Sequence, residues 1–325
     1  MFELRRDPVT GWWSAIVTDR NFEHASFAVD AAPVEGTHCR HCDEAPAGDD
    51  DHVRRVTLRA NAFLPVAPGA ERPPQLEMLP EGEGPRGSWE ILVGPRDHHE
   101  RMADARPQLA ERLLRAVRDT MRELGAAAAP PDQPLSIQAV QTYGRQAGSR
   151  TQHLNVELYA IPQVPHRLAE EIGGAARHMI SRRSCAWCAL SATEEERGDR
   201  LVLADERFVV FAPAASRSPF ELWIVPREHA ADFTRADDDL ITACRATLQR
   251  TLAGLGVLGD PPYNLFLHTS PAGERLDQTY HWHWELHPRL RVSAGLEGAT
   301  ALAVNPAAPE FAAEVLREHI HGSAQ

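Results

Sequence analysis

Three short signals appear in the same order in both halves of this chain, and that repetition restricts the fold more than any other feature. The first half carries Cys39-Arg40-His41-Cys42, then Gly94-Pro95-Arg96-Asp97-His98, then His153-Leu154-Asn155-Val156-Glu157. The second carries Cys185-Ala186-Trp187-Cys188, then Val225-Pro226-Arg227-Glu228-His229, then His281-Trp282-His283-Trp284-Glu285. Cys42 and His98 stand 56 residues apart and His98 and His153 stand 55 apart; the corresponding spans in the second half are 41 and 52. Self-similarity of this kind marks a duplicated unit. A chain of 325 residues has room for two such units, each with its own core. The Ile161-Pro162-Gln163-Val164-Pro165 run punctuates the middle, and the lobes are expected at 1–170 and 181–325.

Each half reads as strands followed by a helix. Trp89–Val93 and Phe220–Val225 are short apolar runs that end at the Pro-Arg-acid-His signal. Arg106 to Leu124 and Asp237 to Leu255 carry apolar residues at helical spacing, with Gly125 and Gly256 as expected stops. Along the third signal Leu154, Val156 and Leu158 alternate with His153, Asn155, Glu157 and Tyr159, which puts the polar set on one strand face. The pattern predicts an α+β lobe built twice around antiparallel sheet, with helices packed on it.

A Cys-x-x-Cys pair presents two thiolates from one turn, and a tetrahedral zinc site closes with two imidazoles from elsewhere in the chain. The expected quartets are Cys39, Cys42, His98 and His153, and Cys185, Cys188, His229 and His281. Four protein ligands leave no open position for water, so both metals are expected to be structural. His98 is preferred over His99 because its place after Pro-Arg-acid matches His229; His38, His41, His268 and His287 also lie near the proposed ligands in sequence. Cys244, in the apolar-periodic run Leu240 to Leu248, is expected to be a buried helix residue.

Composition excludes several classes. The net charge is -12 and the pI near 5.7, which argues against a general nucleic-acid binder. There is no lysine, so Schiff-base chemistry and a GxxxxGK[ST] phosphate loop are out. No apolar run reaches membrane-span length and the first residues lack an export signal, so a soluble, cytoplasmic protein is expected.

Further segments carry a resemblance. Leu4-Arg5-Arg6-Asp7-Pro8-Val9-Thr10-Gly11-Trp12-Trp13, Asn61-Ala62-Phe63-Leu64-Pro65, Tyr143-Gly144-Arg145-Gln146-Ala147-Gly148, Pro262-Tyr263-Asn264-Leu265-Phe266-Leu267-His268-Thr269, Tyr280 to Glu285, and Val304-Asn305-Pro306 resemble the galactose-1-phosphate uridylyltransferases over nearly the whole chain. The resemblance implies two tandem histidine-triad-like lobes, a nucleotide-sugar or sugar-phosphate ligand and a homodimer. In that family the first half reads His-Pro-His-x-Gln: the first His binds zinc, the second attacks the α-phosphorus of UDP-glucose, and Gln bonds the phosphate. This chain carries His153, Leu154, Asn155, Val156 and Glu157 there. It also has Thr142 where the family has Asn, and Arg150 in place of its Ser. Asn61, Gly144, Arg145, Gly148 and Arg150 are the implied substrate-binding residues, the glycines letting backbone N–H groups approach a phosphate.

An Asn amide nitrogen is not a nucleophile, so a covalent uridylyl adduct at Asn155 is excluded. A nucleotidyltransferase or phosphorylase working by direct displacement, a nucleotide-sugar hydrolase with Glu157 as base, and a silent nucleotide-binding relative all fit the residues. The catalytic candidates are Asn155, Glu157 and His283, the last either a nucleophile on a phosphoanhydride or a packed structural residue. Trp282 and Trp284, on the opposite strand face, are expected in the core.

Overall fold

The computed structural model describes residues 2–18, 23–28, 39–43, 52–63, 86–95, 101–127 and 135–322. In chain order the strands are β1 (Phe2–Arg6), β2 (Trp13–Val17), β3 (Arg54–Phe63), β4 (Arg86–Val93), β5 (Ser136–Tyr143), β6 (Asn155–Ile161), β7 (Leu201–Ala204), β8 (Phe208–Phe211), β9 (Leu222–Pro226), β10 (Tyr263–His268), β11 (His283–Pro288) and β12 (Ala303–Asn305). The helices are α1 (Arg40–Asp43), α2 (Pro107–Ala126), α3 (His166–Arg182), α4 (Ala186–Arg197), α5 (Asp238–Gly254), α6 (Gly295–Thr300) and α7 (Pro309–Gly322).

Nine strands form one sheet in the order β3-β4-β6-β5-β10-β11-β9-β8-β7, every neighbouring pair antiparallel. The two halves of the chain meet at β5 and β10, with Asn264 opposite Thr142 and Tyr263 opposite Tyr143. Strands β1, β2 and β12 make a separate small sheet.

The helices form where periodicity places them. Helix α2 starts at a proline, whose missing N–H has no partner to lose in a first turn. It buries Leu109, Leu113, Leu114, Val117 and Met121, each contributing roughly 1.5–3 kcal/mol of burial. Gly125 lies inside its last turn, and the helix runs one residue past it. Helix α5 is capped by Asp237, whose carboxylate accepts the Leu240 N–H at 2.7 Å, and Asp238 and Asp239 complement its N-terminal dipole.

Helices α2, α5 and α7 cover one face of the sheet with a core that spans both halves and includes Cys244, Trp282 and Trp284. A second core of Val9, Leu168, Ala175, Trp187, Phe211, Trp223 and Tyr280 covers the other face over the second half, among the described residues. Helices α3 and α4 and the N-terminal loop supply it. The loop seats against Gly174, where a Cβ would stand 1.7 Å from the Val9 carbonyl oxygen. No helix of the described residues is long and apolar enough to cross a membrane.

Candidate active site

Strand register fixes what meets on the face opposite α2 and α5. In the first half Trp89 pairs with Tyr159 and Ile91 with Glu157 across β4 and β6, while Gln138 and Val140 pair with Tyr159 and Glu157 across β5 and β6. In the second half Phe266 and His268 pair with Glu285 and His283, and Trp223 pairs with Glu285. The two His-x-[Asn/His]-x-Glu strands are thus β6 and β11, with equivalent faces.

Cys39 and Cys42 stand at the start of α1, and His153 just before β6. Their Sγ atoms lie 3.8 and 3.3 Å from His153 Nδ1, and the three donors fall within 4.8 Å of one another. His153 Nε2 donates to the Gly94 carbonyl at 3.1 Å, which leaves Nδ1 as the unprotonated ligand nitrogen. His98 lies outside the described residues.

The second quartet is complete. Donor atoms of Cys185, Cys188, His229 and His281 lie within 4.8 Å of one another; Cys188 Sγ is 3.6 Å from His229 Nδ1 and 3.4 Å from His281 Nδ1. His229 Nε2 donates to the Asp277 carbonyl at 2.7 Å. Cys185 caps α4, whose N-terminal dipole favours thiolate. The hydrogen bond between the two thiols pulls Cys185 down and pushes Cys188 up. Burial holds His281 neutral, the form that ligates metal. Two thiolates and two imidazoles in this arrangement fit a tetrahedral metal ion.

Beyond these quartets the halves diverge. On β6, Asn155 is 6% exposed, and its Nδ2 donates to the His153 carbonyl at 2.7 Å. The Glu157 carboxylate accepts from Trp89 Nε1 at 3.1 Å and from the Tyr159 hydroxyl; Trp89 and Tyr159 are stacked 5.7 Å apart. Burial and the Glu157 carboxylate push the Tyr159 phenol well up, so it stays a donor. Gly144 at φ 80° and Gly148 at φ 99° frame the turn after β5, where a Cβ on Gly144 would meet Pro262 at 2.8 Å. Arg145 and Arg150 are exposed on this turn, with no ion pair among the described residues. Asn61 lies on β3, and its side chain is outside the described ones.

On β11, His283 and Glu285 are fully buried. His283 Nδ1 donates to the His281 carbonyl at 3.0 Å, and its ring stands 5.1 Å from Trp187, 5.6 Å from Trp223 and 5.3 Å from His268. Glu285 accepts from Arg167, from Arg217 at 2.8 Å and from His287 at 3.0 Å. Glu171 accepts from His268 at 3.0 Å and Tyr280 at 2.8 Å. Burial pushes Glu285 up, but Arg167, Arg217 and the histidines outweigh it and hold it well below the ordinary carboxylate range. Burial pushes His283 toward neutral, yet Glu285 and Glu171 raise it overall. Trp12 closes this network from outside, with the Arg167 and Arg217 guanidinium groups 5.9 and 5.8 Å from its ring centre. Arg167, Glu171, Arg217 and Glu221 fall outside both repeats of the three signals. No local signal in the sequence marks them as buried.

Two similar halves on one antiparallel sheet, each with a His-x-[Asn/His]-x-Glu strand, with Cys39, Cys42 and His153 grouped in the first and a full Cys/His quartet in the second, define a duplicated α+β protein. No family model matches the chain. A curated ADP-glucose phosphorylase of Arabidopsis thaliana is 29% identical over 239 residues, which cover 71% of this chain and 64% of that protein, so the match spans just under two thirds of the relative. A galactose-1-phosphate uridylyltransferase of Thermotoga maritima is 26% identical over 98% of both chains. The crystal structure of an Arabidopsis thaliana ADP-glucose phosphorylase with bound ADP-glucose superposes with a TM-score of 0.75 at 25% identity, over 98% of this chain and 99% of that one. Over most of its length the chain is thus similar to galactose-1-phosphate uridylyltransferases and to an ADP-glucose phosphorylase.

Proposed function

We propose that this chain is a nucleotidyltransferase-type enzyme that acts on a nucleotide sugar in the first-half cleft, by direct displacement rather than through a covalent histidine adduct. The observation that carries the proposal is Asn155: it opens β6 two residues after His153, and its amide nitrogen is held by the His153 carbonyl. In the reaction we propose, an acceptor oxygen forms a bond to the α-phosphorus while the bond from that phosphorus to the bridging oxygen breaks. The sugar phosphate leaves with the electron pair. Arg145, Arg150 and the glycine-turn N–H groups would hold the developing charge, and Asn155 would orient the acceptor.

Inorganic phosphate as acceptor would make the protein a phosphorylase, a reading supported by the 29% identical relative. Hydrolysis with Glu157 activating water is the second reading. It requires Glu157 to act while accepting two hydrogen bonds from Trp89 and Tyr159. His283 is enclosed by Trp187, Trp223 and His268 and leans toward its charged form, so we assign it to the structural network. The quartets we assign to structural zinc, with His98 as fourth ligand of the first. When bound, the metal would tie α1 and α4 to the sheet. We further read residues 1–170 and 181–325 as the two lobes, and the protein as a cytoplasmic homodimer.

The deciding experiment is intact-protein mass spectrometry. Protein with verified zinc content is incubated with UDP-glucose or ADP-glucose and no acceptor. A covalent route adds one nucleoside monophosphate to the protein and releases an equivalent of sugar phosphate; direct displacement does neither, yet turns over once phosphate or galactose-1-phosphate is added. A nucleotidylated protein would sink the proposal, and release of nucleoside monophosphate without acceptor would establish the hydrolase.

A further inference from the structure

The seam between the halves carries an arginine that none of the roles above uses. Asn264, on β10, is 5% exposed and uses both ends of its amide. Its Nδ2 donates to Thr142 Oγ1 at 3.2 Å and to the Ala147 carbonyl at 3.1 Å, inside the Gly144–Arg150 turn of the other half. Its Oδ1 accepts from Arg289 Nε at 2.6 Å. Arg289 directly follows β11, and its own N–H bonds the Pro262 carbonyl at 2.7 Å, the residue that crowds Gly144. One amide therefore spans from the turn to a guanidinium.

Arg289 is exposed and forms no ion pair among the described residues. Burial of part of its side chain and the neighbouring Arg217 cation push it down. With Nε fixed by Asn264, its terminal N–H groups remain for a ligand, and a guanidinium offered in this way suits a phosphate oxygen pair. The β5–β6 register, continued by two residues, brings Thr142 level with Asn155, so Asn264 sits two strands from the proposed reacting position.

We infer that Arg289 is a second-half anion-binding residue of the first-half cleft, gripping a diphosphate group of the substrate, and that Asn264 is the positioning residue that aims it. This inference rests on the nucleotide-sugar reading for the identity of the ligand, but the anion site itself stands on the seam geometry. It makes the second half a contributor to binding instead of only a support.

The test uses the full-length zinc-loaded protein and three probes: pyrophosphate, ADP-glucose and adenosine. Arg289→Ala removes an exposed side chain and is expected to fold normally. It should weaken pyrophosphate and ADP-glucose binding about tenfold while leaving adenosine binding unchanged. Arg289→Lys should recover part of the loss. Asn264→Ala should weaken the same two ligands, with little further loss in the double variant, because both changes disable one device; zinc content confirms that its fold persists. Unchanged pyrophosphate binding in Arg289→Ala, or no pyrophosphate binding by the unmodified protein, overturns the inference. Pyrophosphate binding that depends on Arg289 without any ADP-glucose binding would instead keep the anion site and remove the nucleotide-sugar reading.

Discussion

Strands β6 and β11 descend from the same pattern and have met opposite fates. Both follow a histidine that faces a Cys-x-x-Cys pair, and both carry Glu two residues after the variable position. On β6 that Glu is partly buried and meets two neutral donors, Trp89 and Tyr159. On β11 it is fully buried and meets two arginines and a histidine. The second half fills this face with an ionic core, whereas among the described residues the second apolar core does not extend over the first half's face. The same three signals thus encode a frame, and the residues around them decide whether that frame is open or filled.

The comparison can be broken at several points. The largest effect is expected at the complete quartet. Cys188→Ser should abolish one metal equivalent and unfold the second half, since metal binding in such sites supplies roughly 10–16 kcal/mol; metal stoichiometry alongside circular dichroism checks this, and a folded, metal-free variant would show the quartet to be incidental. Next comes the carboxylate pair. Glu285→Ala leaves Arg167 and Arg217 without their shared anion and should cost about 3–5 kcal/mol in urea unfolding. Glu157→Gln keeps both donors satisfied and should stay within about 1 kcal/mol of the unmodified protein. Equal losses would mean that the two strands are not differentiated as described.

A smaller effect concerns pH. Burial raises Glu171, Glu221 and Glu285, but His268 acting on Glu171, Arg217 acting on Glu221, and Arg167 and Arg217 acting on Glu285 outweigh it, and all three are held low. A carboxylate lowered by folding contributes stability that is full above its unfolded value, near 4.3, and is lost as pH falls through the folded value. The second half should therefore keep this contribution at pH 5 and lose it progressively below about pH 4. Tryptophan fluorescence follows the loss through Trp187 and Trp223, and a transition already complete at pH 5 would contradict the account. The smallest change in stability is expected for Asn155→His, within about 1 kcal/mol. Its signature is chemical: intact-protein mass should rise by one nucleoside monophosphate on incubation with the right nucleotide sugar.

Much of the frame was legible in the sequence because it rests on local rules. Period-two alternation separated Leu154, Val156 and Leu158 from the polar face of their strand, and Cys-x-x-Cys spacing marked the two thiol pairs. Helix α2 overran its expected stop at Gly125 because the helix interior tolerates glycine when its neighbours are packed. Joining both halves into one sheet through β5 and β10 left no local mark, since the register of a long-range pair depends on surfaces far apart in the chain. The ionic core was illegible for the same reason. Trp12, Arg167, Glu171, Arg217 and Glu221 come from three separate segments, and each charged residue alone looks like a surface residue.

Glycine 174 gives the asymmetry between the halves a hinge of atomic size. Because a single methyl group there would collide with the Val9 carbonyl, the seating of the Asp7–Trp12 loop over the ionic core depends on one missing carbon. A larger residue at that position would lift the loop and bare the arginines beneath it. In a duplicated protein, such a position works as an address label: it marks the copy on which the plug can seat.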